Sequence, residues 1–421
     1  MIVLKNVTFI DWKTFKFTFG NILVSTKRDT PLKFIDNIND YPDAEVLDCK
    51  GKYVTKSFGN AHHHAYTATA LGMLKPNKEL NNFYEILTNL WWKFDRAIDS
   101  EVVKYSAYAT AIACAKNGTT FVINHHSGPN AIKDSLQIIT DAFNRVGINS
   151  LLCYEISDRD GSKTADKALK ETENYLENNQ GLVGLHASFT VTDKTLKKAV
   201  KLAEKYNTGI HVHVAEDLYD QDNCYNIYNK RVVERFNDFG ILNLPKSLFA
   251  HCLYLTMTER ELIKESGIFI VQNTESNLNN NVGLFNSKKL GDNIMLGTDG
   301  MHSDMLRTAK ATFLSGQYND TIDIEGAYAR MRNIHKYLSL SGFLGDSDNN
   351  LVILDYNPAT EFNQSNFLRH FIYGIDSTHI QHVISNGKII VKNRKVTTVD
   401  EDEIKSISRE LSLKLQKKIK F

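Results

Sequence analysis

The hexapeptide Gly59-Asn60-Ala61-His62-His63-His64 follows the strand-like run Lys52-Tyr53-Val54-Thr55. Side chains alternate faces along a strand with period two, so imidazoles two residues apart at a strand end point the same way. His62 and His64 can therefore share one metal ion, and His63 faces away from it and is given no catalytic role. A solvated polar loop also accommodates three histidines. The choice between the two readings turns on whether the rest of the chain supplies further ligands at strand ends.

Working outward, the chain has short apolar runs separated by amphipathic stretches. Eight candidate strands stand out: Tyr53 to Phe58, Thr119 to Asn124, Ser150 to Ile156, Gly181 to Ala187, Gly209 to Val214, Ser247 to His251, Ile268 to Gln272 and Asn293 to Gly297. The intervening stretches have helical spacing, as in Thr195 to Tyr206, where Leu196, Val200 and Ala203 fall on one face. Thr258 and Glu261 form a T-x-x-E capping signal, and Gly267 marks the stop of that helix. Strand and helix alternating eight times predicts a (β/α)8 TIM-like barrel, whose catalytic groups occupy the C-terminal strand ends. An open doubly wound sheet would want a glycine-rich phosphate turn after its first strand, and the sequence has none there.

The two ends of the chain differ from this middle. Residues 1 to about 55 alternate apolar and polar positions without a helical stripe. His382 to Val391 reads as a hairpin turning at Asn386-Gly387, and Lys395 to Val399 as another strand. Glu401 to Phe421 has helical charge and leucine spacing. The expectation is a small composite β-sandwich domain built from both termini, with divisions at 1–55, 56–365 and 366–421.

Length and charge set the function classes. The 421 residues carry a formal charge of +1 with 24% charged residues, which gives no electrostatic footprint for nucleic acid. The five cysteines form no CxxC pair, as in a reduced cytoplasmic protein. Neither a secretory leader nor an apolar run of about 20 residues is present. The expected setting is cytoplasmic, with a small-molecule substrate, no nucleic acid, no membrane and room for a homodimer.

Polar residues then collect at the strand ends: His62 and His64, His125 and His126, His186, His211, His213 and Glu216, His251, and Asp299. His126, His211 and His302 also have an ordinary reading as satisfied core histidines. His62, His64, His213 and Asp299 make a set of three imidazoles and one carboxylate suited to Zn2+, with iron an alternative. Such an ion lowers the pKa of water to roughly 7. Glu216 is placed to carry a proton to the leaving nitrogen, His251 to direct the attacking oxygen, and Asp299 to take the water proton as well as bind metal.

These motifs, His62-His63-His64, His211-Val212-His213-Val214-Ala215-Glu216, Ala250-His251-Cys252 and Leu296-Gly297-Thr298-Asp299-Gly300, resemble the ordered motifs of the amidohydrolase superfamily, in its cytosine-deaminase and chlorohydrolase branch. Cys153 to Gly161, Gly184 to Thr190, Lys230 to Arg235, Ser276 to Asn280 and Asp355 to Pro358 resemble the SsnA-type aminohydrolases, whose substrates are poorly defined. The resemblance runs through nearly the whole chain. It implies one metal held by His62, His64, His213 and Asp299, catalysis by Glu216 and His251, and substrate contact by His186. Binuclear relatives carry a carboxylated lysine at the end of strand four, where this chain has His186. It departs from the pattern at Lys56-Ser57-Phe58-Gly59, which lacks a proline, and at Thr274, which replaces one.

Weaker candidates remain. Tyr66 reaches into the pocket or seals its rim. His125 touches substrate or orients a ligand. Trp91 and Trp92 either wall a planar ring or pack in the core or at a subunit contact. Arg159 binds a substrate anion or pairs with Asp158 or Asp160. The reading is a metal-dependent aminohydrolase that deaminates an amino-substituted N-heterocycle, with cyclic-amide hydrolysis or dechlorination by the same metal set as the alternative. A non-catalytic scaffold is the second alternative.

Overall fold

The computed structural model describes residues 1–27, 30–73, 76 and 78–419. Eight parallel strands form the central sheet: β1 (Phe58–His63), β2 (Thr119–His126), β3 (Asn149–Ile156), β4 (Val183–Ala187), β5 (Ile210–Val214), β6 (Leu248–His251), β7 (Phe269–Gln272) and β8 (Ile294–Leu296). Each pairs with its sequence neighbour. The ring closes just beyond β8, where the His62 carbonyl accepts from the Thr298 and Asp299 amides, each at 3.0 Å.

The period-two pattern of the strands explains where the polar groups lie. On β2, Phe121 and Ile123 join the inner core and His125 follows two residues on; on β3, Leu151 and Cys153 are followed by Glu155. Val122 and Leu152, one residue out of phase, pack instead in the larger cluster that includes the surrounding helices. Apolar residues thus fill the N-terminal half of the barrel and histidines and carboxylates its C-terminal end. Ile334, Tyr337 and Leu338 of the helix Ile324–Ser341 join the inner core.

The first expected strand is corrected. Tyr53–Lys56 is a strand of the terminal sheet, antiparallel to Leu351–Leu354 and parallel to Ile2–Ile10, and the barrel begins at Phe58. The capping signal is also corrected: Thr256 and Glu259 form the box on the helix Met257–Ser266, two residues before the expected pair. Glu259 is buried and also accepts from the Val233 amide and Gln221, contacts that select this frame over the overlapping one. Gly267 ends the helix with φ 72°.

The terminal segments form a separate nine-stranded mixed sheet. Its strands include the hairpin Ile380–Ser385 and Lys388–Lys392, turning through Asn386 and Gly387 with φ 50° and 69°. Leu351–Leu354 also lies in this sheet. The helix Glu401–Lys418 packs back on the helix Ser100–Lys116. All five cysteines are buried and unpaired. Among the described residues no helix is long and apolar enough to cross a membrane.

At the closure, Gly297 leaves no room for a side chain. A Cβ there would lie 2.5 Å from Asn273 Oδ1 and 2.8 Å from His62 Cβ. Gly297→Ala is therefore expected to destabilise the fold by about 1–3 kcal/mol through overpacking. Urea titration reads this as a lower midpoint at unchanged slope; an unchanged midpoint would show that the ring closure relaxes freely.

Candidate active site

The strand ends of β1, β5, β6 and β8 deliver the central groups. Ala215, His251, Cys252 and Asp299 all have positive φ, at 47°, 70°, 56° and 52°. Left-handed backbone costs a non-glycine residue about 1–2 kcal/mol, and such residues concentrate at functional sites. Here they turn the chain sharply as it leaves β5, β6 and β8.

The donor pattern of the histidines is fixed by their second nitrogens. His64 Nδ1 lies 2.7 Å from the His125 carbonyl, and His213 Nδ1 2.7 Å from the His186 carbonyl, so each Nδ1 carries the proton. Their Nε2 atoms then present lone pairs, 3.2 Å apart. Asp299 Oδ1 lies 3.0 Å from His64 Nε2 and 3.3 Å from His62 Nε2. Burial drives the His62 pKa down to about 3 and His213 well below its usual value, so both rings are neutral. Burial works against the charged form of His64, yet Asp299 holds its pKa above the usual value, so groups converging this closely call for a positive charge among them, either a proton on His64 or a metal cation. Ligands about 2.0–2.1 Å from a tetrahedral centre stand roughly 3.3 Å apart, the spacing of the His64–His213, His64–Asp299 and His62–Asp299 donor pairs. The cluster suits a divalent metal.

Other groups hold these in place. His211 Nε2 is 2.9 Å from His62 Nδ1, and Ser276 Oγ donates to Asp299 Oδ2 at 2.5 Å. His251 Nδ1 donates to Asn277 Oδ1 at 2.8 Å, which leaves its buried Nε2 without a partner. His251 belongs with His62, His213 and Asp299 to one group of converging donor atoms. Glu216 Oε2 lies 3.5 Å from His251 Nε2. Burial, reinforced by the Asp299 charge, pushes the Glu216 carboxyl well above its usual pKa.

A cleft opens over this cluster. His64, His213, Glu216 and Asp299 lie at it, as do His186, Tyr66, Trp91 and Trp92. Thr190 Oγ1 donates to the Ala187 carbonyl at 3.1 Å and so must accept from His186 Nδ1 at 2.7 Å, leaving His186 Nε2 as an acceptor. His125 does not line the cleft. It is fully buried, with Nε2 3.2 Å and 3.3 Å from the Leu185 and His211 carbonyls and Nδ1 3.3 Å from Glu155 Oε2. His63 bonds Thr298 Oγ1 at 3.0 Å, His126 is buried beside Tyr66 and Tyr154, and His302 pairs with Glu275 at 2.6 Å.

Arg159 lines the cleft and pairs with Asp95 (2.5 Å), Glu155 (3.1 Å) and Asp160 (3.5 Å). Asp158 is used elsewhere, accepting from the Thr192 amide and Thr195 hydroxyl. The sequence reading singled out neither Asp95 nor Glu155. Glu155 follows Leu151 and Cys153 on the inner face of β3, so strand phase alone would have found it. Asn277 and Ser276 lay in a motif that was noticed, but without their contacts.

A closed barrel with imidazoles and a carboxylate converging at its strand ends defines a metal-dependent hydrolase. The chain belongs to the amidohydrolase family, whose model matches residues 53–390, and is a hydrolase of carbon–nitrogen bonds other than peptide bonds. It is 24% identical to the 5-methylthioadenosine/S-adenosylhomocysteine deaminase of Caldanaerobacter subterraneus subsp. tengcongensis, over 96% of both chains. Its fold is similar to that of a zinc-bound adenosine deaminase from Xanthomonas campestris, with a TM-score of 0.78, 16% identity and coverage of 99% and 100%. A zinc-complexed atrazine chlorohydrolase from Arthrobacter aurescens TC1 gives a TM-score of 0.81 at 14% identity, covering 98% and 100%.

Proposed function

We propose that the protein deaminates an amino-substituted N-heterocycle, releasing ammonia, with a single divalent metal held by His62, His64, His213 and Asp299. The observation that carries this reading is the gathering of His62, His64 and His213 nitrogens around Asp299, with Glu216 and His251 beside them. Three nitrogens and one oxygen favour Zn2+ over Fe2+. When bound, such an ion supplies the Lewis acidity that makes water nucleophilic at neutral pH.

The chain's own residues do the rest. His251 Nε2, an acceptor because Nδ1 is spent on Asn277, takes a hydrogen bond from the attacking water and sets its direction. Asp299 accepts a proton from that water. Glu216, whose buried carboxyl holds its proton tightly, delivers one to the substrate nitrogen so that the amine can leave. His186 Nε2 accepts from a ring N–H or amine, and Tyr66 closes the wall beside His64, ring centroids 5.5 Å apart. His125 orients rather than touches: it holds the His64 ring through its carbonyl and reaches Glu155 behind the cleft. The buried, unpaired cysteines fit a cytoplasmic enzyme.

A panel of amino-heterocycles assayed for ammonia tests the reading. Ammonia with the matching oxo product supports it. Release of chloride, or of a carboxylate by ring opening, would replace it with dechlorination or cyclic-amide hydrolysis.

A further inference from the structure

The chain enters the cleft through a π-helical turn, Leu87–Trp91, continuing into the helix Trp92–Ala97. Such turns are frequent at functional sites. Trp92 and Asp95, three residues apart and therefore on one helix face, both line the cleft. Trp92 Nε1 and Asp95 Oδ1 are both buried without a hydrogen-bond partner. A donor and an acceptor left unsatisfied on one helix face at the cleft call for a ligand that matches both.

The neighbouring polar atoms are already engaged. Asp95 Oδ2 accepts from Arg159 at 2.5 Å and from Ser127 at 3.2 Å. The Arg159 Cζ sits 5.3 Å from the Trp92 ring centroid, and the Tyr84 and His186 rings meet the indole at 5.9 Å and 6.2 Å; none of these gives Nε1 a hydrogen-bond acceptor. Among the described residues, Arg159 is the only lysine or arginine lining the cleft. Committed to carboxylates, it leaves an anionic substituent without a partner. Burial raises the Asp95 carboxyl against the pull of Arg159, and Oδ1 is the oxygen left free of hydrogen bonds.

We propose that Trp92 and Asp95 are a specificity-determining pair that reads a cyclic-amide edge of the substrate: the indole N–H donates to a ring carbonyl, and Asp95 Oδ1 accepts from the adjacent ring N–H. The inference rests on the deaminase reading and narrows its substrate class to uncharged, oxo-substituted amino-heterocycles of the 2-amino-oxo-pyrimidine, purine or pteridine type. Adenine-type rings lack this edge.

The test uses matched probes, isocytosine against 2-aminopyrimidine and guanine against 2-aminopurine, with the full-length metal-loaded protein and its Trp92→Phe and Asp95→Asn variants. The oxo member is expected to lead in kcat/KM by at least about tenfold, and each variant to raise its KM about tenfold with kcat changed less than about threefold, narrowing the preference. Trp92→Phe removes the N–H together with part of a buried ring that packs under Arg159, so the decisive readout is a KM rise confined to the oxo member of each pair, since lost packing weakens both members alike. Equal turnover of both members, or an unchanged KM in Trp92→Phe, would overturn the proposal. So would a preference for adenosine that is lost in 3′-deoxyadenosine, because a sugar diol would then be the group read. Calorimetry with uracil and xanthine, which keep the amide edge and lack the amine, reads recognition apart from chemistry. Tight binding weakened in Trp92→Phe, without ammonia from any probe, supports the recognition pair and counts against deamination alone; no binding and no turnover overturns the pair.

Discussion

Glu216→Gln is expected to keep its metal and lose turnover by about 10³-fold. Glutamine matches glutamate in size and sits in the same buried position beyond β5, so the ligand cluster should be undisturbed. What disappears is a proton that burial and the nearby Asp299 charge hold on the carboxyl well above the usual range. The assay pairs steady-state kcat with metal content per chain. Turnover within about tenfold of the parent would mean that another group carries the proton to the leaving nitrogen.

Asp299→Ala should be as damaging in rate and should also empty the site. Asp299 Oδ1 faces His62 and His64, and Oδ2 accepts from Ser276, so one side chain joins β1, β8 and the segment after β7. Removing it takes away the only anion of the proposed ligand set. Loss of several kcal/mol of charge stabilisation corresponds to about 10³-fold or more in rate. Metal content should fall well below that of the parent while near-UV circular dichroism remains native. A variant that kept both metal and activity would remove Asp299 from the ligand set.

The sequence showed the architecture because the barrel repeats one simple pattern. The strand ends carrying His125 and His213 could be read directly, and the structure sets them beyond inner-face residues such as Phe121, Leu151 and their neighbours. It misplaced the first strand because Tyr53–Lys56 takes its partner from Leu351–Leu354, nearly three hundred residues away, which no local window contains. The capping frame failed for a similar reason: two T-x-x-E frames overlap, and the contacts of Glu259 with Val233 and Gln221 decide between them.

The candidate ligands were legible because each closes a strand. The groups that orient them were less so. Asn277 lies on a short helix after β7, and its role exists only through the 2.8 Å bond to His251. Trp92 stood out only for its aromatic face and Asp95 not at all, since nothing local announces a π-helical turn or an unsatisfied indole N–H. Arg159 shows the converse: its charge suited a substrate anion or a local ion pair, and the pair with Asp160 forms, but Asp95 and Glu155 also converge on it and occupy it.

Metal content measured together with activity tests the central claim most directly. Protein purified without chelator should contain about one first-row transition metal per chain, most of it zinc, lose activity on chelation and regain it when Zn2+ is restored. Protein that contains no such metal and works undiminished in chelator would contradict the account.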